Sequence, residues 1–549
     1  MEATQRDYGA VETPAALARS FTERGWWSQR GVLDAWEEAV AASPTKVAVV
    51  DRSGRSYTYE QADGASSRLA TWLLSKGVAP GDIVPVQLPS RAEFLVVFIA
   101  VLKAGCAINP LSANLRAREC VDAYYVQGSR VGVFAAHYRR TSYEALIREI
   151  RRRSPLREAL VVGESGETAG GEALADAVRD CEPLPRNRWA HRGGQDIAAV
   201  MFTSGSEARP KGVLLTHNNV IASERAFAMS LGLGADDVML MPAPLGHATG
   251  FLHGVVMPIV TGGTSVLCDL LEGDEMARMV TAHGATCAMS VPGVIDALLC
   301  ACGRNRGALA SLRVLCCGGS PVPRPLLERA RLMGVRLHSV YGTTESAPHT
   351  MTRASDPDDR VYQTDGRACP GVEVRIVDPV TRRPLPPGIE GEEASRGPQV
   401  FAGYLGRPDL TRRVVDDDGW YYSGDLAVMD GEGFIRITGR IKDIIIRGGE
   451  NISPTEVEQV LVTHPAIAQA CVVPVPDPVL GERALSYLVL RPGAPPVGVD
   501  DLVRYFVECG VAKYKIPEHV RLVDALPTLP SGKVDRRGLK ERALSEFSG

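Results

Sequence analysis

A short stretch rich in hydroxyl groups and glycine, residues 203–212, has the residue types of a phosphate-binding loop. Its small side chains leave backbone N–H groups open to an anion, and Lys211 adds a mobile positive charge. It is not a Walker A loop, because Lys211 is followed by Gly212 rather than by Ser or Thr. A predicted buried strand, 197–202, precedes it and a predicted helix start at His217 follows. The stretch predicts a polyphosphate site, with an ordinary Ser/Gly turn as the alternative.

Five further stretches carry residue types that could handle a nucleotide. Residues 317–321 follow a predicted strand, and their bare backbone would admit a flat ring. Residues 341–345 follow another strand and offer an aromatic face, two hydroxyls and, in Glu345, a carboxylate suited to Mg²⁺. Residues 422–425 place an acid in a turn, suited to ribose hydroxyls. The last two are the charged, glycine-rich segments between 439 and 451 and the turn that presents Lys533. Taken singly, each is more commonly a turn, a helix cap or an exposed loop.

The elements that must position these residues alternate between strand-like and helix-like runs. Strands are predicted at 47–50, 84–88, 131–135, 159–162, 238–241, 264–267, 313–316 and 335–341, and helices at 94–103 and 325–333. This order is typical of an α/β fold with much parallel sheet. Near Gly439 the pattern changes to short β-type runs, followed by a compact segment with its own strands and a helix at 499–509. We expect an N-terminal domain of residues 1–439, with stacked α/β sheets and a small β-rich subdomain, and a small α+β C-terminal domain of residues 440–549.

The composition is that of an ordinary globular protein and excludes several classes. The 549 residues carry a net charge of −4, so no global positive field recruits nucleic acid. The start of the chain lacks the order of a signal peptide, and the longest apolar run, 94–102, is too short to span a bilayer. The twelve cysteines show no metal-ligand spacing. We therefore expect reduced thiols and a cytoplasmic protein.

The number and order of these stretches resemble the acyl-activating, AMP-forming ligases over residues 21–539, nearly the whole chain. That superfamily includes acyl-CoA synthetases, aryl-acid ligases and the adenylation domains of peptide synthetases. Three stretches, 242–251, 391–398 and 511–519, look closest to bacterial short- and medium-chain fatty-acid–CoA ligases. The resemblance implies that ATP and Mg²⁺ are used to convert a carboxylic acid to an acyl-adenylate with release of pyrophosphate. CoA would then accept the acyl group.

The resemblance also implies roles for individual residues. Lys533, Thr344, Glu345 and Lys211 would be catalytic, with Glu345 holding Mg²⁺ and Thr344 contacting the α-phosphate. The nucleotide would be bound by the residues Thr203, Ser204, Gly205, Ser206, Glu207, Lys211, Gly318, Gly319, Ser320, Tyr341, Gly342, Thr343, Thr344, Asp425 and Arg440. Asp425 and Arg440 would hold the ribose. Ala208 is a departure, since family loops usually carry glycine there.

The C-terminal domain is expected to rotate about a hinge at Lys442 after pyrophosphate leaves. That rotation would withdraw Lys533 and bring a thiol path to the site, formed by the residues Arg447, Gly448, Gly449 and Glu450. One pocket must favour two successive reactions, and a hinge suits that requirement.

The acid and its acceptor are less defined. The segment 246–251 holds no aspartate to pair with an ammonium, which argues against amino acids. The expected acyl pocket comprises His247, Gly250, Gly318 and Gly342; His247 flanks the carboxylate, gates the pocket, or merely caps a helix. Small residues near that helix start leave room for an apolar chain or serve helix packing. Three functions compete: an acid–CoA ligase, an adenylating enzyme that hands its acyl group to a carrier protein or partner enzyme, and a non-catalytic nucleotide- or acyl-binding paralogue. A homodimer is the default assembly.

Overall fold

The computed structural model describes residues 8–163, 168–203, 211–304, 306–447, 450–529 and 532–547. Its largest sheet is parallel except at its edges, and its strands are, in spatial order, Arg367–Ala368, Ser346–Met351, Leu337–Thr343, Val314–Gly318, Cys287–Ser290, Val238–Met241, Thr264–Leu267, Val47–Asp51 and Ser56–Thr58. A second large sheet contains Gly403–Tyr404, Lys211–Thr216, Ile197–Thr203, Ala107–Pro110, Ile83–Gln87, Val131–Ala135, Glu158–Val162 and Glu172–Ala173. The expected α/β class is confirmed.

Helices cover both large sheets. Those of the first part of the chain are Ala15–Glu23, Val32–Ala42, Tyr59–Ser75, Glu93–Lys103, Ala117–Gln127, Glu144–Arg153, Leu174–Asp180 and His217–Leu231. They are followed by Ala248–Phe251, Met257–Thr261, Gly273–His283, Pro292–Arg304, Arg324–Leu332, Asp358–Gln363 and Pro408–Val414. Among the described residues, no helix combines the length and apolar character needed to cross a lipid bilayer.

The helix Glu93–Lys103 shows where the main core lies. Every one of its residues is buried, which fits a sequence that is apolar all round rather than along one stripe. Gly105 ends it with a positive φ of 74°. Its single cation, Lys103, is fully buried, and its Nζ donates to Asp63 Oδ1 at 2.7 Å and to the hydroxyls of Ser66 and Ser67. The core therefore tolerates this charge because it is paired and fully hydrogen-bonded.

Two smaller sheets follow in the chain. The first is antiparallel, with strands Glu373–Val377, Gly391–Arg396, Tyr421–Met429 and Ile435–Arg440, as expected for a β-rich subdomain. The second contains Glu450–Ile452, Ile445–Arg447, Gly481–Leu490, Ile467–Asp477 and His519–Leu522, with helices Pro454–Leu461, Val499–Glu508 and Arg536–Phe547. Its apolar clusters consist of residues from 445 onwards. The two parts touch where Ser453 Oγ donates to Thr438 O.

The buried ion pair of Lys103 yields a stability prediction. Lys103→Met should destabilise the protein by about 3 kcal/mol, because it leaves the Asp63 carboxylate without its cation. Lys76→Met removes a lysine that pairs with Glu172 at the surface, and should cost less than about 1 kcal/mol. Thermal unfolding should show Lys103→Met melting roughly 2 °C below Lys76→Met. Equal melting temperatures for the two variants would contradict the role given to the buried pair.

Candidate active site

Two of the stretches expected to bind the nucleotide, residues 318–320 and 341–344, lie at the carboxyl ends of two neighbouring parallel strands. Gly318 pairs with Val340, so the stretch after Gly318 begins beside Tyr341. A Cβ atom on Gly318 would lie 2.3 Å from the Val340 carbonyl oxygen, so the close strand contact requires glycine. Gly319 has a φ of 78°, and Ser320 is exposed beyond it. Ligands bind at this edge of open α/β sheets.

The residues from Tyr341 to Glu345 form the end of a strand and a tight hairpin. Thr343 pairs with Ser346, so Thr344 and Glu345 are the two residues at the turn. Thr343 Oγ1 donates to Tyr421 Oη at 3.2 Å. Gly342 lies at an irregularity of the ladder, and a Cβ there would approach the backbone of Ala347 to 3.1 Å. The hairpin thus exposes hydroxyls and a carboxylate on a fixed backbone.

Glu345 lies beside Thr203 and Lys211, the residues on either side of the predicted phosphate-binding loop. Thr203 and Lys211 are opposite each other at the end of an antiparallel pair of strands. The Lys211 Nζ lies 5.2 Å from the ring centre of Tyr404, and Tyr404 Oη donates to Glu345 Oε1 at 2.8 Å. The loop residues Ser204, Gly205, Ser206, Glu207 and Ala208 lie outside the described residues. The described part therefore brings Thr203, Lys211 and Glu345 to one place.

The sequence pattern predicts only a helix start after the loop, whereas the structure forms the strand Lys211–Thr216 before that helix. The helix is present as His217–Leu231, capped by the Thr216 side chain. The missed strand pairs with Ile197–Thr203 and with the distant Gly403–Tyr404. Tyr404, which holds Glu345, was also missed, because it comes from that remote strand.

Asp425 is held at both carboxylate oxygens. It is buried, Tyr341 Oη donates to its Oδ2 at 2.9 Å, and Arg440 Nε donates to its Oδ1. Asp425 and Arg440 are also opposite each other in neighbouring strands. Burial, followed by the charges of Glu393 and Asp425, raises the pKa of Tyr341 well above its usual value, so its phenol stays a donor. The structure thus places an acid, an arginine and a tyrosine together beside residues 318–320.

Lys533 reaches this group from the C-terminal part of the chain. A Cβ atom on Gly319 would lie 3.2 Å from Lys533 Cε and 3.5 Å from its Nζ. Lys533 is exposed to solvent, yet desolvation lowers the pKa of its ammonium, Arg440 lowers it further, and Asp425 opposes both. The turn is anchored by the Leu529 N–H, which donates to the Lys533 carbonyl oxygen at 2.7 Å. A side chain on Gly319 would therefore press against the end of the lysine.

His247 faces the same lysine. It occupies the position before the helix Ala248–Phe251, but its side chain makes no capping hydrogen bond. Its Nε2 is buried and has no hydrogen-bond partner among the described residues. Burial and then the charge of Lys533 lower the pKa of His247 to about 4, so the ring is neutral at neutral pH. This geometry argues against the capping alternative.

The glycines near His247 are explained by packing. A Cβ on Gly246 would lie 2.4 Å from the Ser112 nitrogen, and one on Gly250 would lie 2.2 Å from the Pro244 carbonyl oxygen. One on Gly254 would meet the Met241 side chain at 2.5 Å. The place of Gly250 in an acyl pocket stays a prediction.

The residues expected for the hinge and thiol path lie after Arg440. Lys442 belongs to the short 3₁₀ turn Ile441–Asp443, and burial, then Arg440, lowers its pKa. Arg447 forms an ion pair with Glu518, and Glu450 is exposed and opposite Arg447 in a hairpin. Gly448 and Gly449 lie outside the described residues. In this arrangement Lys533, rather than Arg447, lies beside Gly319 and Asp425, which are expected to bind the nucleotide.

The fold, with a lysine, an arginine and several acids converging beside a loop of phosphate-binding type, defines an adenylate-forming enzyme of the α/β class. A family model described as AMP-binding enzyme matches residues 36–405, and one described as AMP-binding enzyme C-terminal domain matches residues 456–533. The chain belongs to this family of AMP-binding enzymes. The recognition made from the ordered motifs is confirmed.

Individual relatives agree. The chain is 42% identical over 530 residues to a medium-chain fatty-acid–CoA ligase of Escherichia coli, which covers 96% of this chain and 93% of the relative. It is 33% identical over 551 residues to a salicylyl-CoA synthase / salicylate adenylyltransferase of a Streptomyces species, with 97% of each chain covered. The crystal structure of ATP-bound MatB from Rhodopseudomonas palustris has a TM-score of 0.85 at 26% identity, covering 94% of this chain and 99% of that one. These matches confirm the predicted AMP-forming acid–thiol ligase.

The space at Gly319 can be tested by adding one methyl group. Gly319→Ala should slow pyrophosphate exchange about tenfold, because its Cβ displaces Lys533 from its position. It also forces alanine into a left-handed conformation, which costs about 1 kcal/mol.

Gly334→Ala is the matched control, since Gly334 has a φ of 74° and open space at its Cβ position. Both variants should lose similar thermal stability, and only Gly319→Ala should lose exchange activity. Identical exchange rates would show that Lys533 does not need the space.

Proposed function

We propose that the chain activates a medium-chain fatty acid with ATP and transfers the acyl group to CoA. The observation that carries this proposal is the position of Lys533 beside Gly319, Asp425 and Arg440. The acid class is supported by the identity to the E. coli medium-chain ligase and by the lack of an acidic residue in segment 246–251.

The adenylation step brings two anions together. The carboxylate of the acid attacks the α-phosphorus of ATP, an acyl–phosphate bond forms and pyrophosphate leaves. Catalysis requires positive charge and alignment rather than a strong base. Lys533 supplies a cation that can bridge the carboxylate and the α-phosphate, and Thr344 lies on the rigid hairpin tip where it can donate to phosphate. Asp425 and Arg440 bind the ribose, and Tyr341 with residues 318–320 bounds the adenine.

Glu345 is the residue that we propose to hold Mg²⁺. Its half-buried carboxylate lies next to Tyr404 and to the arms of the loop at Thr203 and Lys211. One carboxylate with phosphate oxygens and water is a typical Mg²⁺ donor set. The ion, when bound, screens phosphate charge.

For the second step we propose a rotation of residues 440–549 about Lys442. The separate apolar clusters of the C-terminal part support its movement as a unit. Rotation would remove Lys533 and bring residues 447–450 to the acyl-adenylate, where the thiol of CoA displaces AMP.

His247 is neutral and its Nε2 lacks a partner among the described residues, so we place it beside the acid's carboxylate. We propose a cytoplasmic location, which suits twelve free cysteines, all in the described part. We propose a homodimer only because homodimers are the commonest oligomers of soluble proteins.

A second candidate keeps the adenylation step but gives the acyl group to a carrier protein or partner enzyme. The relative named both as a CoA synthase and as an adenylyltransferase favours keeping it. The third function, a non-catalytic paralogue, is disfavoured because Glu345, Arg440 and Lys533 are all present. Lys533 lies near Arg440, and Glu345 lies beside the predicted phosphate-binding loop.

One assay separates the three. The purified protein with ATP, Mg²⁺, octanoate and CoA should release AMP and form octanoyl-CoA. Phenylalanine in place of octanoate should be roughly a hundredfold or more slower, because its ammonium would be buried without a partner. Pyrophosphate exchange without octanoyl-CoA would support the carrier-protein function. No AMP and no exchange with a panel of organic acids would overturn both enzymatic functions.

A further inference from the structure

Glu393 and His349 form a buried pair of ionisable side chains behind Asp425 and Arg440, the residues proposed to bind the ribose. Both side chains are 0% exposed, and His349 Nδ1 lies 3.0 Å from Glu393 Oε1 and 3.1 Å from Glu393 Oε2. Glu393 comes from the strand Gly391–Arg396 of the small antiparallel sheet, and His349 comes from the strand Ser346–Met351, the second strand from one edge of the largest sheet. The pair therefore joins the two sheets beneath the nucleotide residues.

The pair reaches Asp425 through one phenol. Tyr341 Oη lies 3.2 Å from Glu393 Oε2 and 2.9 Å from Asp425 Oδ2, so its oxygen stands between two carboxylates. A phenol has one hydrogen and can donate to one of them at a time. A carboxylate can accept several hydrogen bonds, so Glu393 can accept from His349 and still be one of the two acceptors available to the phenol.

The backbone around Glu393 is also shaped to present Asp425. Glu392 pairs with Leu426 and Ala394 pairs with Tyr422. The residues 423–425 therefore stand opposite the single residue Glu393, which is a bulge of the kind that re-aims side chains next to active sites. The Glu393 carbonyl accepts from Ser423 Oγ at 2.8 Å, and Glu392 Oε1 accepts from the Gly424 N–H at 3.0 Å.

A purely structural role would not require ionisable groups here. Burying a charged pair is costly, and apolar side chains of similar volume are often as stabilising. His349 Nε2 is buried without a hydrogen-bond partner in the described part of the chain, so the histidine is committed to Glu393 through Nδ1 alone. The two rings packed edge-on against His349 are Tyr341 and Tyr421, which keeps its orientation fixed.

We propose that Glu393, paired with His349, is a positioning residue for nucleotide binding. Its carboxylate, oriented by His349, holds the Tyr341 hydroxyl between itself and Asp425. The phenol in turn holds Asp425 where it can accept the ribose hydroxyls. This inference rests on the proposed function, because it takes Asp425 as the ribose acid. It concerns selection of the sugar and not the chemistry at phosphorus.

The test compares ATP with 2′-deoxyATP and 3′-deoxyATP in pyrophosphate release with octanoate. Glu393→Gln keeps the shape of the side chain and replaces one acceptor oxygen by an amide donor, so the contacts with His349 and Tyr341 cannot both be kept. The variant should raise the KM for ATP about tenfold, which corresponds to the free energy of one hydrogen bond to a charged group, and should change kcat less. The preference for ATP over the deoxynucleotides, as a ratio of kcat/KM, should fall by a similar factor. Glu373→Gln is the control, since Glu373 pairs with Arg396 at the surface of the neighbouring strand and should leave the ratio unchanged.

Tyr341→Phe provides the second variant and a double-mutant cycle. It should lose the same sugar preference, and adding Glu393→Gln to it should change nothing more, because Glu393 acts through the phenol. If Glu393→Gln does not fold, an unchanged sugar preference in Tyr341→Phe overturns the proposal. Equal losses with ATP and both deoxynucleotides, or full additivity in the cycle, also overturn it.

The wild-type protein separates this failure from that of the proposed function. Failure to release pyrophosphate with ATP and any acid would sink the function itself. Activity without any preference for ATP over the deoxynucleotides would remove Asp425 from the ribose. A normal preference that Glu393→Gln leaves intact would sink the positioning role alone.

Discussion

The approach of one anion to another is the constraint on which the rest of this structure depends. A carboxylate cannot approach a triphosphate unless positive charge is already in place, and water alone screens that repulsion poorly inside a cleft. In the proposed reaction this need is met by Lys533, which is carried on a turn more than three hundred residues after Lys211. Lys533 lies against Gly319, where a Cβ atom would come within 3.2 Å of the lysine Cε. A catalytic charge supplied from a separate unit can also be withdrawn, which suits an enzyme with two successive steps.

The scaffold explains why the other groups are where they are. Parallel strands deliver the backbone of residues 318–320 and 341–345 to one edge, and the close contact of Gly318 with Val340 keeps them side by side. The small antiparallel sheet then brings Asp425 and Arg440 to that edge, with Tyr341 as the contact between the two sheets. The site is therefore a junction of three units, and its geometry depends on the hydrogen bonds that join them.

Much of this could be predicted from the sequence. The strands Val238–Met241 and Thr264–Leu267 have the predicted bounds, because buried parallel strands are short apolar runs with clear ends. The helix Glu93–Lys103 differs by one residue from its prediction. The ordered motifs predict the family, and the family implies roles for particular residues.

The remainder depends on pairing between distant segments. Nothing near Lys211 indicates that its strand pairs with Gly403–Tyr404, so the contact between Tyr404 and Glu345 could not be foreseen. Glu393 was visible as an acid in a run that matched the family, but its burial against His349 depends on two sheets meeting. The bulge at residues 423–425 is a property of strand register, which a local pattern does not encode.

The most direct measurement compares the two half-reactions of Lys533→Ala. Pyrophosphate exchange with ATP and octanoate reports adenylation, and the conversion of preformed octanoyl-AMP to octanoyl-CoA reports thiol transfer. We expect exchange to fall about a hundredfold or more, as for loss of one preorganised charge or donor at a transition state, and thiol transfer to stay within about twofold. An equal loss in both half-reactions, or undiminished exchange, would contradict the account in which Lys533 serves adenylation alone.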